Sequence, residues 1–271
     1  REFNEAMRRY KCGSGTFRMN VALRELPDFK ALPGSGSQPH HASGIVFAPS
    51  LRYMDRAWHS AVAQGYAAEP IELRPAPALA PVPPAVVSHG SRRERLVALT
   101  FDACATGGAS GYDEALVRVL LETRTPATFF LGGKWMLEHP AATRRLAAEA
   151  LFEIGNHGFL HRHLTQLDDE AVRQELAWTQ TVMLSLTGRQ GRLVRAPYVE
   201  IDERVARICA QMGLTPVQCD LASGDPDPAL SAERLRRHVV GAARNGSIVI
   251  MHVNGRGRRT AEALPGIIAG L

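Results

Sequence analysis

The chain has 271 residues, 45% of them hydrophobic, which is enough apolar material for one barrel-sized domain or two smaller domains. The net charge of +5 comes mostly from scattered arginines without an aromatic stacking platform, so no nucleic-acid partner is expected. The 4 cysteines form no Cys-x-x-Cys pair and no run of about 18 apolar residues occurs, which excludes a disulfide framework, a zinc ribbon and a transmembrane segment.

Residues 1–73 are predicted to form a short extension of mixed α/β character. Residues 13–23 alternate as a strand does, and residues 50–65 have the pattern of a helix. The segments CGSGTFRMNVALRELPDF and HHASGIVFAPSLRYMDRAW resemble a fragment of flavin-dependent oxidoreductases of the phytoene-desaturase and amine-oxidase kind. Gly13 and Gly15 are not followed by the third glycine of a GxGxxG turn, so neither a flavin nor a nicotinamide cofactor is expected.

Residues 74–94 are predicted to be a semi-rigid linker, because they contain PAPALAPVPP and proline fixes the backbone. From Arg95 to Leu271, apolar strand-like runs alternate with helical ones, which predicts a parallel α/β sheet or barrel. The predicted strands are Leu96–Phe101, Ala127–Leu131, Glu153–Asn156, Leu193–Val194, Thr215–Cys219 and Ser247–Met251. The predicted helices are Asp113–Glu122, Ala141–Leu151, Asp168–Leu186, Asp202–Gln211, Ser231–Ala243 and a last one from Thr260.

Polar and titratable side chains follow successive predicted strands of this domain. Ligands and catalytic groups of parallel α/β folds gather outside the carboxyl ends of the strands. Each residue alone has a structural explanation, such as a helix cap or a turn, but the whole set predicts a site at one end of the sheet. In chain order these residues are Asp102, His157, His161, Arg195, Asp220, Asp225 and His252.

Three of these side chains suggest a specific role, either metal binding or pairing with a carboxylate. His157 and His161 are four residues apart and could present both rings to one metal ion from a helical turn. Arg195 could pair with a buried carboxylate and keep it ionised. His163 has no such partner, and we expect it at the surface or behind the site.

The ordered segments TFDACATGG, NHGFLH, RAPY, DLASGD and IVIMH resemble the motifs of the polysaccharide deacetylases, the NodB-like carbohydrate esterase family. The resemblance covers residues 95–271 and implies a distorted (β/α) barrel that hydrolyses acetyl groups of chitin, peptidoglycan or acetylated xylan. It also implies a divalent metal, with zinc favoured over cobalt or nickel. A cell-envelope or extracellular location follows from the resemblance, although the first residues lack the layout of a signal peptide.

The resemblance carries family roles over to residues that match its motifs. A negative neighbour raises the pKa of an imidazole, so the aspartate beside the general acid is expected to keep that acid protonated near neutral pH. The resemblance implies that Asp102 is the general base, held by Arg195, and that His252 is the general acid, paired with Asp225. It implies that His157 and His161 are metal ligands. It also implies that the backbone N–H of Tyr198 binds the oxyanion and that Ile250 forms the wall of the acetyl pocket.

The chain departs from the family pattern at several positions. Ala103 stands where the family has a third metal ligand, an aspartate, which leaves Cys104, Asp102 itself or water as alternatives. Pro226 replaces a tryptophan of the groove, and the last family strand has no counterpart before Leu271, which implies a C-terminal truncation or an open barrel edge. The alternative function is therefore a non-catalytic glycan-binding barrel with a decayed metal site.

Overall fold

The computed structural model describes residues 73, 75–106 and 110–271. These residues belong to one compact unit, Ile71–Leu271. The predicted extension, including the strand at residues 13–23, the helix at residues 50–65 and the resemblance to a flavin enzyme, lies outside the described residues except for Leu73. Gly107 and Gly108 of the first motif lie outside them as well.

Short strands alternate with helices along the described chain. The strands are β1 (Ala98–Ala103), β2 (Ala127–Leu131), β3 (Phe152–Asn156), β4 (Leu193–Val194), β5 (Thr215–Pro216), β6 (Leu221–Ala222) and β7 (Ile248–His252). The helices are α1 (Glu114–Glu122), α2 (Gly133–Glu138), α3 (Pro140–Ala148), α4 (Asp169–Thr187), α5 (Glu203–Gln211), α6 (Ala232–Ala242) and α7 (Thr260–Gly270). None of the helices in the described part of the chain has both the length and the apolar character to cross a bilayer.

Helix starts are fixed by short polar side chains that the sequence places there. The side chains of Asp113, Asp168, Asp202 and Ser231 each accept a hydrogen bond from a backbone N–H of the first turn, at the starts of α1, α4, α5 and α6. Such caps satisfy donors that have no partner inside the helix. The helix α4 also ends at Gly188, whose φ of 71° suits a residue without a side chain.

The strands form one parallel sheet in the order β5-β4-β3-β2-β1-β7-β6. This curled, seven-stranded half-barrel with its helices confirms the predicted α/β barrel class. The strand β1 lies near the middle, between β2 and β7. In this register Asp102 of β1 pairs with Phe130 of β2 and with His252 of β7, which brings two predicted site residues to neighbouring positions.

The two faces of the sheet differ in character. Phe101, Ala103 and Met251 belong to the main hydrophobic cluster, which lies under the helices. Side chains alternate between faces along a strand, so Asp102 and His252 point to the opposite, inner face. The candidate site therefore lies inside the half-barrel, at the carboxyl ends of its central strands.

Several helix and strand boundaries predicted from the sequence are wrong. The first strand was predicted as Leu96–Phe101, but β1 runs from Ala98 to Ala103, so Asp102 lies within it; Leu96 is 65% exposed, at a turn. The predicted strand Thr215–Cys219 ends at Pro216, because Gln218 donates its N–H to the carbonyl of Val87 and leaves the β4 ladder. The predicted helix Ala141–Leu151 ends earlier, at Ala148, and β6 and α2 are too short to show a period in sequence.

The proline-rich segment, residues 75–94, lies extended against the domain. Val82 donates its N–H to the carbonyl of Ala210 at 2.9 Å, and Val87 pairs with Val217 as an isolated parallel bridge next to β5. Arg92 binds the Asp220 carboxylate at 2.8 Å. The segment thereby supplies backbone partners to an edge of the sheet that would otherwise be unpaired.

Candidate active site

A buried ion pair forms the floor of the site. The Asp102 side chain lies on β1, and its Oδ1 accepts a 2.9 Å hydrogen bond from Nη1 of Arg195; the two residues are 3% and 0% exposed. Arg195 Nη1 also donates to the hydroxyl of Thr100, while its Nε and Nη2 donate to the carbonyls of Val217 and Gln218. The guanidinium is therefore held from several sides, as a buried charge requires.

The electrostatics of this pair keep Asp102 ionised. Burial alone would raise the pKa of the Asp102 carboxyl, but the charge and hydrogen bond of Arg195, together with the charge of His252, outweigh burial and lower that pKa below its usual value. Asp102 is thus a carboxylate at neutral pH, and it is available as a proton acceptor or as an ion ligand.

The two histidines of the second motif meet in the loop after β3. Their ring centroids are 5.0 Å apart, and Nε2 of His157 lies 3.7 Å from Oδ2 of Asp102. The expected helical turn is wrong: Gly158 and His161 have φ values of 68° and 58°, so the rings converge from a loop whose backbone is left-handed at both residues. His157 donates from Nδ1 to the carbonyl of Arg195 at 2.9 Å, which leaves Nε2 with a free electron pair facing Asp102.

Both imidazoles are neutral. Burial lowers the pKa of His157, and burial together with the nearby His157 lowers the pKa of His161 to about 3. Neutral imidazole is the form that binds zinc and related ions. In addition, Nδ1 of His161 is buried and has no hydrogen-bond partner. These observations fit two nitrogen ligands for a divalent cation.

Neither Ala103 nor Cys104 is suited to act as a third protein ligand beside these two histidines. The methyl group of Ala103 lies in the main hydrophobic cluster, on the face of β1 opposite Asp102. Burial raises the pKa of the Cys104 thiol, which disfavours the thiolate that zinc binds. Within the described residues, no set of three or more His, Cys, Asp and Glu side chains is arranged to hold an ion.

His252 and Asp225 form a second buried pair on the β7 side. Nδ1 of His252 donates to Oδ1 of Asp225 at 2.8 Å, and the backbone N–H of His252 donates to Oδ2 at the same distance. Burial opposes the charged imidazolium, but the hydrogen bond and charge of Asp225 prevail and raise the pKa of His252 above its usual value. His252 is therefore a proton donor close to a proton acceptor, Asp102.

The two remaining predicted residues lie at the rim and wall of the site. Tyr198 is 48% exposed and has a φ of 61°; its ring meets that of His161 edge-on at 4.5 Å and stacks on His163 at 3.8 Å. His163 bonds the Glu200 carboxylate at the surface. Ile250 is buried two residues before His252, on the same inner face of β7.

Similarity to known proteins agrees with this geometry. A family model described as polysaccharide deacetylase matches residues 89–217. A chitooligosaccharide deacetylase of Rhizobium leguminosarum bv. trifolii is 31% identical over 159 residues, which are 59% of this chain and 72% of that protein. The chain belongs to the polysaccharide deacetylase family.

Other matches define how far the likeness to this deacetylase family extends. A bifunctional xylanase/deacetylase of Pseudobutyrivibrio xylanivorans is 25% identical over 181 residues, which are 67% of this chain and 29% of that protein. The chain thus spans under a third of that relative. A solved structure from Bacillus anthracis, described as a CE4 family pseudoenzyme, is 23% identical, has a TM-score of 0.63 and covers 69% of this chain and 64% of its own, which supports the fold.

Several residues that shape the site of this polysaccharide deacetylase family member were missed by sequence reasoning. The hydroxyl of Thr260 donates to Oδ2 of Asp225 at 2.8 Å, and a side chain at Gly257 would collide with both. Glu175 lies buried behind the two-histidine loop. The only signal for Glu175 was a charged residue on the apolar side of the predicted helix Asp168–Leu186. Asp220, which the sequence grouped with the site, instead binds Arg92 and the start of β7, away from His252.

A change at Asp225 tests the electrostatic role of the His252 pair in the deacetylase-family site. In Asp225→Asn the carboxylate charge that raises the pKa of His252 is lost, so we expect that pKa to fall. A general acid must be protonated to act, and the alkaline limb of the kcat/KM profile should therefore move to lower pH. The pair should also stabilise wild type below the unfolded pKa of His, an advantage lost as pH rises through the folded pKa of His252.

The matched control for this pH experiment is Asp220→Asn, which removes a carboxylate from the same β5–β7 region but not from His252. Profiles of acetate release against pH, and thermal unfolding at pH 5 and pH 9, would measure both effects. An unchanged alkaline limb in Asp225→Asn would contradict the assignment of Asp225 as the partner that charges His252.

Proposed function

We propose that the chain is a metal-dependent hydrolase that removes acetyl groups from a polysaccharide such as chitin oligomers or peptidoglycan, acting on N-acetyl groups or, alternatively, on O-acetyl groups. One observation carries the proposal: an ionised Asp102 and a His252 of raised pKa are register partners on β1 and β7, beside two neutral histidines. Amide hydrolysis by general acid–base catalysis requires an ionised base and a protonated acid at the same place and the same pH. The lowered pKa of Asp102 and the raised pKa of His252 meet this requirement at one end of the half-barrel.

Each side chain then has a defined task. Asp102 accepts the proton of the attacking water, and Arg195 holds that carboxylate in place and ionised. His252, charged through Asp225, donates its proton to the departing nitrogen or oxygen of the sugar. The Tyr198 backbone N–H is assigned to the oxyanion, and Ile250 to the apolar wall beside the acetyl methyl.

His157 and His161 would hold the divalent cation, with zinc favoured over cobalt or nickel. When bound, such an ion polarises the acetyl carbonyl and lowers the pKa of a bound water. Because Ala103 supplies no third ligand, we expect weaker binding than at a site with three protein ligands. The proposed polymer substrates imply a location in the cell envelope or outside the cell.

The direct test combines elemental analysis of the purified protein with acetate release from N-acetylglucosamine oligomers. We expect release that stops in a chelator and returns on addition of zinc, cobalt or nickel. A protein that binds no divalent ion and releases no acetate from amide- or ester-linked substrates would overturn the proposal.

The alternative is a glycan-binding barrel whose metal site has decayed, and Ala103 is the observation that favours it. Ala103→Asp distinguishes the two functions. Because Ala103 is fully buried in the main hydrophobic cluster, we expect the variant to unfold at lower temperature in a chelator and to gain no acetate release. Binding of zinc by calorimetry and acetate release would be measured beside Ala105→Asp, which buries a carboxylate two residues further on. A large gain of both in Ala103→Asp would favour the decayed site.

A further inference from the structure

One buried acid has no part in the proposed chemistry. Glu175 lies in the middle of α4 and is 5% exposed, and its Oε2 accepts hydrogen bonds from the backbone N–H groups of both Phe159 and Leu160 at 2.8 Å. These two residues lie between His157 and His161 in the chain. A single carboxylate oxygen therefore binds the centre of the segment that carries both imidazoles.

The segment between the two histidines has no helix or strand to define its path. Its backbone is left-handed at Gly158, where glycine adopts that conformation freely, and again at His161, where it costs energy and persists only when neighbouring groups enforce it. Asn156 contributes at the start, since its Oδ1 accepts the N–H of Gly158 at 2.9 Å. The central N–H groups depend on Glu175.

Burying this carboxylate is costly, and its compensation is incomplete. The cationic neighbour that approaches it is Arg162, whose Nε lies 3.6 Å from Oε1 and whose side chain is half exposed. An apolar residue would be cheaper at a position in a helix that only packs against its neighbours. The presence of a carboxylate at position 175 is therefore explained by its hydrogen bonds to the loop and not by the packing of α4.

We propose that Glu175 is a positioning residue, which fixes the backbone between His157 and His161 and so sets the separation and tilt of the two imidazole rings. The inference rests on the proposed function for its activity readout alone, since the ring positions can be measured without catalysis. Residues that orient ion-binding histidines commonly change metal affinity or activity about 10- to 100-fold when removed.

The test compares Glu175→Ala with Gln180→Ala. Gln180 is a matched control because it is buried on the same helix and donates to the carbonyl of Gly191 at 2.7 Å, away from the histidine loop. We expect both variants to lose stability in urea unfolding. Only Glu175→Ala should shift the ring-proton NMR signals of His157 and His161 and lower acetate release about 10- to 100-fold.

Two conservative variants keep the inference testable if Glu175→Ala does not fold. Glu175→Gln retains a side-chain oxygen at the same reach, so it should preserve the ring signals and most of the activity. Glu175→Asp keeps the charge but withdraws the oxygen by one methylene, so it should behave like the alanine variant. Ring signals that move equally in Gln180→Ala, or a Gln variant as damaged as the Ala variant, would overturn the role. If the wild-type protein releases no acetate but Glu175→Ala still shifts the ring signals of His157 and His161, only the proposed function is contradicted.

Discussion

Replacing His252 by alanine is expected to lower the rate of acetate release about 10²- to 10⁴-fold, the usual worth of a positioned general acid. The nitrogen of a sugar amine is a poor leaving group unless it is protonated as the carbon–nitrogen bond breaks. His252 has the raised pKa and the carboxylate partner that this step needs, and it is the register partner of the base, Asp102. Steady-state kinetics on N-acetylglucosamine oligomers would measure the loss.

The leaving group provides an internal check on this result. A phenyl acetate with an electron-withdrawing ring needs little protonation of its departing oxygen, so His252→Ala should lose far less activity on that substrate. His238→Ala is the control for removal of a histidine, because His238 is exposed on α6 and bonds the carbonyl of Ala222. Normal amide hydrolysis by His252→Ala would refute the assigned acid, and equal losses on both substrates would contradict proton donation.

Local sequence patterns were sufficient to predict the longer helices and strands, but not the short elements β6 and α2 or every boundary. Apolar periodicity and the capping residues Asp168 and Asp202 located α4 and α5 to within one residue. The short β6 and the early end of β5 depend on pairing with Val249 and Val87, which are distant in sequence. Such long-range pairing leaves no local signature, so five residues from Thr215 appeared as one strand.

The proximity of the candidate site residues could be predicted from the sequence because parallel strands bring their carboxyl ends to one edge. That rule predicts that Asp102, Arg195 and His252 lie close together, as they do in the structure. It does not predict which residues support these side chains. Glu175 and Thr260 act through the helices α4 and α7, and their partners are set by how those helices pack.

Replacing Arg195 by methionine is expected to destabilise the fold by about 3–5 kcal/mol, because removal of one partner leaves the other as an uncompensated buried charge. Asp102 has few other ways to satisfy that charge: the nearest imidazole nitrogen, on His157, is 3.7 Å away. Urea unfolding at pH 7 would measure the loss. The control is Arg145→Met, which breaks a 2.6 Å pair with the exposed Glu114 and should cost less than about 1 kcal/mol.

The double variant Asp102→Asn/Arg195→Met separates charge from packing. With both charges removed, much of the stability lost in Arg195→Met should return, because no uncompensated buried charge remains. The pH dependence has a definite sign as well. In wild type the lowered pKa of Asp102 gives stability above the unfolded pKa of Asp, which is lost as pH falls through the folded value. Arg195→Met lacks that contribution, so its loss of stability relative to wild type should shrink in acid. If that loss is constant with pH, or persists in full in the double variant, Arg195 acts by packing and not by keeping Asp102 ionised.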